Sequence, residues 1–211
     1  CSSTGSVSVG TNTSDYATAG GLVGQAESTH ITRSLNTCIV TATSSSNATA
    51  GGLTGITSNN NVIAACMAGG KVTADADNNS EAGGFAGRIN SAIITHCYAT
   101  GTAEAKGGVY TITNPGGFVG FNGGTISYSY TTQSTFRGYN GGTLTNTWCD
   151  GMTGTPGTTV RADVPEADLG EVRTWTGSKV ETVTLGSEIW TKNDYPRIND
   201  NENGTVNKTN E

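Results

Sequence analysis

The chain is poor in charge, in proline and in aromatic residues: of 211 residues 13 % are charged, 7 % are aromatic and four are Pro. Only 11 Lys and Arg stand against 17 Asp and Glu, so no basic patch exists to neutralise phosphates, and nucleic acid is excluded as a partner. No apolar run approaches the ~20 residues that span a bilayer, so membrane insertion by this segment is not expected. The net charge of −6 comes mostly from acids beyond residue 160. Five cysteines cannot all pair, which argues against a disulfide framework. The expected state is buried free thiols that pack as small hydrophobes.

What is abundant is Gly, with 31 residues, together with Ser, Thr and Asn. Such a composition also describes flexible linkers, but here it is periodic. The figure Gly-Gly-x-x-Gly begins at residues 20, 51, 83 and 116, in steps of 31, 32 and 33. A near-constant period of this size marks a stacked repeat, in which each unit buries its apolar side chains only against its neighbours. Disordered sequence has no cause to keep Ile, Val and Gly in register.

Each repeat divides into three apolar segments. The first alternates at period two, with Val7 and Val9, Val40 and Ala42, Val72 and Ala74, Ala103 and Ala105, and reads as a strand. The second is the glycine figure, with Leu22, Leu53, Phe85 and Phe118 in one column, and the third centres on Ile31, Ile63, Ile94 and Ile126. Polar loops, such as 11–18, 44–49 and 75–82, separate the first segment from the second and absorb the drift of the period. The paired glycines are expected to supply positive φ at a corner of the coil and close approach to the coil above. No strand, Gly-rich loop and helix with a Lys surrounds them, so they do not form a phosphate-binding loop. A shortened fifth repeat follows, since Phe136 to Leu144 aligns with Phe118 to Ile126 at a spacing of 18. Parallel stacking places like residues about 4.8 Å apart, which favours aliphatic and Asn ladders.

Cys1 to Gly5 matches Cys97 to Gly101 in its Cys, Thr and Gly, so the first residue is expected to fall within a repeat. A competing reading makes Cys1 the lipid-bearing first residue of a mature bacterial lipoprotein. After Asp150 the composition shifts towards charge, Trp and Pro. There 165–172 reads as a short helix, and 179–185 and 188–190 as strands. The expected organisation is repeats over 1–154, a cap over 155–198 that covers the apolar end of the stack, and a polar tail over 199–211.

The four glycine figures, the run Asn122-Gly123-Gly124-Thr125-Ile126 with Ser129-Tyr130, Cys97-Tyr98-Ala99-Thr100-Gly101, and the late Trp190, Tyr195, Pro196, Arg197 and Ile198 together resemble the GLUG-motif repeat family of bacterial surface proteins. The likeness covers residues 1–198. It implies an all-β fold, a right-handed parallel β-helix of about five rungs with a C-terminal capping segment. It also implies a secreted or surface-anchored bacterial protein of adhesin type or a region flanking a large surface protease, with no chemistry of its own.

Constellations for chemistry are sparse. Counted from the glycine figures, no acid position is shared by adjacent repeats, so register offers no carboxylate pair for acid/base work. His30 and His96 lie far apart in repeat phase, which argues against a metal site or a Ser-His-Asp triad. Residues 199–204 hold acids and amides but lack the ligand spacing of a calcium loop, and 75–78 read as a plain surface turn, with weak calcium binding as the lesser alternative. No cofactor, metal or catalysis is expected. The expected function is a non-catalytic binding or adhesion module, a monomer that contacts a host or bacterial surface protein or a glycan. A carbohydrate-cleaving β-helix enzyme and a passive stalk are the alternatives.

One column points to a binding face. Two residues past each Ile stand Arg33, Ala65, His96, Tyr128 and Asn146, polar and variable, hence facing out. Three past stand Ser34, Cys66, Cys97, Ser129 and Thr147, uniformly small and hence inward. Four past stand Leu35, Met67, Tyr98, Tyr130 and Trp148, which alternation turns outward. Tyr98, Tyr128, Tyr130 and Trp148, supported by His96 and Arg33, are therefore the candidate ligand-binding residues, Tyr and Trp being common at contact surfaces.

Overall fold

The computed structural model describes residues 1–11, 15–107, 112–149, 182–185, 188–193 and 195–198. All regular structure among them is β, and no helix is present that is long and apolar enough to cross a membrane. Every strand pair up to residue 149 is parallel, and successive strands of one sheet come from successive repeats. The chain thus winds into a β-solenoid of the parallel β-helix kind, with four coils and a shortened fifth.

Each of the four full coils contributes to four sheets. The first holds Ser6–Thr11, Ile39–Ser44, Val72–Ala76 and Ala103–Gly107, and pairs Val7 with Val40 and Val40 with Val72 as the alternation requires. The second holds Tyr16–Gly20, Asn47–Gly51, Asn79–Gly83 and Ile112–Gly116. These strands run through much of the stretches read from sequence as polar loops, which is a correction: their inward positions are Ala and Ser, too small and too polar to register as an apolar segment. The third sheet holds Val23–Glu27, Thr54–Ser58, Ala86–Ile89, Val119–Asn122 and Arg137–Asn140. The fourth carries the Ile column, Ile31 on Ile63 on Ile94 on Ile126 on Leu144.

The drift of the period falls partly where the reading placed it. Thr11 pairs with Ser44, an offset of 33, whereas Tyr16 pairs with Asn47, an offset of 31, so the excess lies in the connection between first and second sheets. The shortened fifth coil is also as read. Arg137–Asn140 stacks on Val119–Asn122 and Thr143–Cys149 on Thr125–Thr131, both at an offset of 18 (137 − 119 and 143 − 125). Among the described residues no strand of the first or second sheet accompanies this coil, and these sheets end at Ala103–Gly107 and Ile112–Gly116. Pro115 stands in that last strand, where its missing N–H costs no ladder bond on the open side.

The apolar residues form two cores. A larger one between the third and fourth sheets stacks Leu53, Phe85, Phe118 and Phe136 beside Ile63, Ile94 and Ile126. Its Phe rings lie parallel at 4.7 and 4.8 Å, the rung spacing. A thinner one between the first and second sheets is built on Val40, Val72 and columns of Ala, including Ala42 on Ala74 and Ala50 on Ala82.

The glycine figure sits where the second sheet turns into the third, and its role is close approach alone. None of its glycines has positive φ, contrary to the expectation. A Cβ on Gly51 would overlap Thr54 O and lie 2.5 Å from Gly87 N, and one on Gly52 would overlap Gly84 O. One on Gly55 would lie 2.7 Å from Thr18 Cγ2, a side chain on the outer side of the second sheet. The outer sides of the second and third sheets therefore meet across a concave corner that only Gly permits. Positive φ falls on other residues: Arg33, Ala65 and His96 at 48°, 54° and 53° bend the fourth sheet, and Ser28, Asn59 and Asn60 turn into it. Buried Asn side chains tie the corners, as where Asn61 Nδ2 donates to Ala26 O at 2.8 Å and its Oδ1 accepts from Thr29 N at 2.7 Å. Asn122 Nδ2 donates to Asn140 Oδ1 at 2.7 Å, an Asn ladder of the kind expected.

Beyond the solenoid, Thr182–Leu185, Glu188–Asn193 and Tyr195–Ile198 form an antiparallel sheet, in keeping with the strands read there. The helix read over 165–172 and the tail 199–211 lie outside the described residues, as does most of the expected cap.

Candidate functional site

The predicted aromatic ladder is in register but is not open. Met67 pairs with Tyr98, Tyr98 with Tyr130 and Tyr130 with Trp148. The parity is as read, because Leu35 at the head of the column is 39 % exposed and the next position, Asn36, is fully buried. Tyr98 and Tyr130, however, are 3 % and 1 % exposed. The chain itself covers the outer side at these levels, which alternation along one strand cannot reveal. The exposed face read for these two rings is thereby corrected. The side chains of Tyr128 and Trp148 lie outside the described residues. Arg33 is exposed, and His96, half-buried, shares a hydrogen bond of 2.8 Å between its Nδ1 and Thr95 Oγ1. Both occupy the bend of the fourth sheet two coils apart, about 10 Å along the axis.

The small column behind them is inward, with Ser34, Cys66, Cys97 and Ser129 all buried. All five cysteines are free, as expected, but Cys1 is exposed while Cys38, Cys66, Cys97 and Cys149 are buried. Cys1 does lie in repeat register, since Ser2 pairs with Leu35. Burial pushes the Cys97 thiol well above its ordinary value. Among the described residues no three His, Cys, Asp or Glu side chains gather to hold a metal ion.

The structure does assemble a different surface, in the concave corner. Along the outer side of the third sheet run Gln25, Ile56, Arg88, Phe121 and Tyr139, one per coil. Facing them on the second sheet run Thr18, Thr49, Glu81 and Asn114. Each facing pair is separated by seven residues, as 88 − 81 and 121 − 114. The Arg88 Nε donates to Glu81 Oε2 at 2.6 Å and its Nη2 donates to Oε1, a forked ion pair to which Asn79 Nδ2 adds a bond at 3.1 Å. Glu81 is 1 % exposed. Its charge is tolerated there because the guanidinium is bound to it directly. The guanidinium carbon lies 4.3 Å from the Phe121 ring centre, and Phe121 stacks on Tyr139 at 5.0 Å with the planes 16° apart. The result is a continuous stack of cation and two rings along the solenoid axis. Among the described residues none faces Tyr139, since no second-sheet strand there accompanies the fifth coil, and Tyr139 is 52 % exposed. The signal for these residues was in the alignment of the fifth repeat on the fourth, which places Tyr139 on Phe121. What was not visible was that this column lines a concave corner.

An open trough of about 470 Å³ lies where the third sheet turns into the fourth, lined by Asn60, Ile93, Gly123, Gly124, Gly141 and Gly142 among others. Its lining is small and neutral, mostly Gly, Ser, Thr and Ala, and carries no ionisable side chain.

Parallel strands from successive repeats, two stacked cores and a glycine-walled corner define the chain as a β-solenoid repeat protein. A family model, the GLUG motif, matches residues 78–104. That span is one coil, from the turn before Asn79–Gly83 to the strand opening the next at Ala103. The same glycine figure recurs in register in three further coils, so the coil that carries the GLUG motif is one of a series of repeats. No curated protein and no solved structure matches it.

Proposed function

We propose that this solenoid is a non-catalytic binding module of a bacterial surface or secreted protein, working in adhesion. The observation that carries the reading is the Arg88, Phe121 and Tyr139 stack, an aromatic and guanidinium surface in a concave corner whose outermost ring is half in water. Rigid aromatic and Arg side chains dominate contact energetics because they bury much area and lose little entropy. The ladder of the fourth sheet, with Tyr128, Trp148, His96 and Arg33, belongs to this proposal only as a flank. Supporting the absence of catalysis, the one carboxylate in the corner, Glu81, is held in an ion pair with no second acid among the corner residues.

The test is attachment of the labelled chain to bacterial and host cell surfaces. Saturable attachment that falls about tenfold in Tyr139→Ala supports the reading. Equal attachment by both proteins would place the contact away from Tyr139, and no attachment by either would leave the solenoid as a spacer.

A further inference from the structure

We infer that the outer face of the fourth sheet, ahead of its bend, binds ice. This face lies apart from the concave corner and presents two columns of side chains. His30, Val62, Ile93, Thr125 and Thr143 stack in one, and Thr32, Ala64, Thr95, Ser127 and Thr145 in the other. Each of these residues is exposed or half-buried, and Ile93 is 52 % exposed. Water therefore reaches the face at all five levels, unlike the covered Tyr98 and Tyr130 beyond the bend.

Charge sets this face apart. The outer side of the first sheet carries Asp75, Glu104 and Lys106, and the concave corner holds Glu81 and Arg88. The two columns hold no Asp, Glu, Lys or Arg, and His30 stands at their first-coil end. A charged side chain keeps a water shell that is costly to strip, and an ice lattice has no place for such a shell. Only an uncharged face can lie directly against solid water.

Spacing is the second observation. Rungs about 4.8 Å apart and a strand rise of about 3.3 Å set the exposed side chains on a grid of about 4.8 by 6.6 Å, about 19 Å long over five levels. In ice each oxygen is bonded tetrahedrally to four others at about 2.75 Å, so oxygens sharing a neighbour lie about 4.5 Å apart and the hexagonal layers repeat about every 7.3 Å. The two grids agree to within about a tenth in both directions. No bulge breaks the register of the protein grid, since the paired residues of these strands run without a skip.

The side chains themselves are the third. Seven of the ten are Thr, Val or Ile, whose branching at Cβ fixes χ1. Their methyl groups and hydroxyls are held in place before the lattice is met, so little rotamer freedom is lost on contact. A hydroxyl both donates and accepts, as lattice water does. Ser127 Oγ already donates to Thr95 Oγ1 at 3.0 Å, a hydrogen bond that runs along the second column from one coil to the next. The columns lack what other partners need, having no ring on which a sugar could stack and no aromatic or Arg anchor for a protein.

The experiment freezes a dilute solution of the full chain slowly onto a cold probe, measures the protein taken up by the ice, and reads thermal hysteresis on single ice crystals. The parent chain is expected to be enriched in the ice and to halt crystal growth within the hysteresis gap. Ile93→Asp and Thr125→Lys place a charge at the third and fourth levels, and each should lower uptake about tenfold or more. Thr43→Lys, on the exposed outer side of the first sheet, should leave uptake unchanged. Melting curves establish that the variants are folded, and either charged variant of the face suffices. The inference is overturned if the parent is excluded from ice as ordinary proteins are, if a folded variant of the face is taken up as the parent is, or if Thr43→Lys loses uptake equally. Retention of the parent on crystalline cellulose together with exclusion from ice would assign the face to a polysaccharide and overturn the ice assignment. Tyr139→Ala should enter ice as the parent does, so the outcome is independent of cell attachment through the concave corner.

Discussion

Two kinds of residue show how little latitude the coil allows. The third glycine of the second, third and fourth figures leaves no room for a side chain: a Cβ on Gly87 would lie 2.6 Å from Thr49 Cγ2 and 2.8 Å from Gly55 O. Gly87→Ala should therefore cost about 3 kcal/mol or more, since backbone must move to admit a methyl group. Gly10→Ala is the control, having only Thr43 O at 4.0 Å, and it should leave the denaturant midpoint unchanged or slightly raised. Equal effects would mean that the corner is not held by close approach. The opposite case is Thr54, wholly buried with a hydroxyl that has no hydrogen-bond partner, in a column that holds Val23, Ala86 and Val119 and ends on the exposed Arg137 of the fifth coil. Thr54→Val keeps the shape and removes the buried hydroxyl, so it should stabilise by about 1 kcal/mol, or raise Tm by about 3 °C. A fall in Tm would show that the hydroxyl does find a partner.

At the scale of the element, the fourth sheet sets neighbours of opposite environment side by side. Ile94 is fully buried in the Ile column, whereas Ile93 is 52 % exposed. Ile94→Asp, like Ile63→Asp, puts an unpaired charge into a continuous ladder and should unfold adjoining coils together, at a loss above about 4 kcal/mol. Ile93→Asp should cost less than about 1 kcal/mol. Thermal melts of the three variants decide the column assignment. The Cys column beside it makes a chemical prediction. In the native protein a thiol reagent should modify Cys1 alone, because the other four thiols are buried and Cys97 is held protonated. In denaturant all five should react, and prior reduction should add none. A denatured count of three would mean a disulfide.

Over the whole molecule, the bent cross-section is the feature from which the proposed site follows. The thin Ala core lets the first two sheets pack closely, the larger Phe and Ile core fills the space between the third and fourth, and the glycine corner joins the lobes at a concave angle. Glu81 and Arg88 bridge that angle at the third coil, which rigidifies it. Removing one partner tests this. Arg88→Ala strands a carboxylate that is 1 % exposed and should cost about 3–5 kcal/mol, and Glu81→Gln with Arg88 kept should cost less. Matching losses in chemical denaturation would argue that the pair is not an interdependent buried unit.

The period of the glycine figure, the Ile and Leu/Phe columns, the shortened fifth repeat and the free thiols were all legible in the sequence, for a common reason. Parallel stacking sets residue n upon its counterpart one repeat away, so a linear period maps directly onto a spatial ladder, and apolar residues can recur only where the ladder faces inward. Tertiary structure decided the rest. It made strands of the stretches around Asn47–Gly51 and Asn79–Gly83, whose Ala and Ser positions carry too little hydrophobic contrast to announce themselves. It also decided which outward column meets water. Tyr98 and Tyr139 both lie on the outer side of their sheets, yet one is 3 % and the other 52 % exposed. Alternation along a strand distinguishes only two faces of one sheet, whereas exposure depends on what other segments lay against that face, and this is a property of the folded chain.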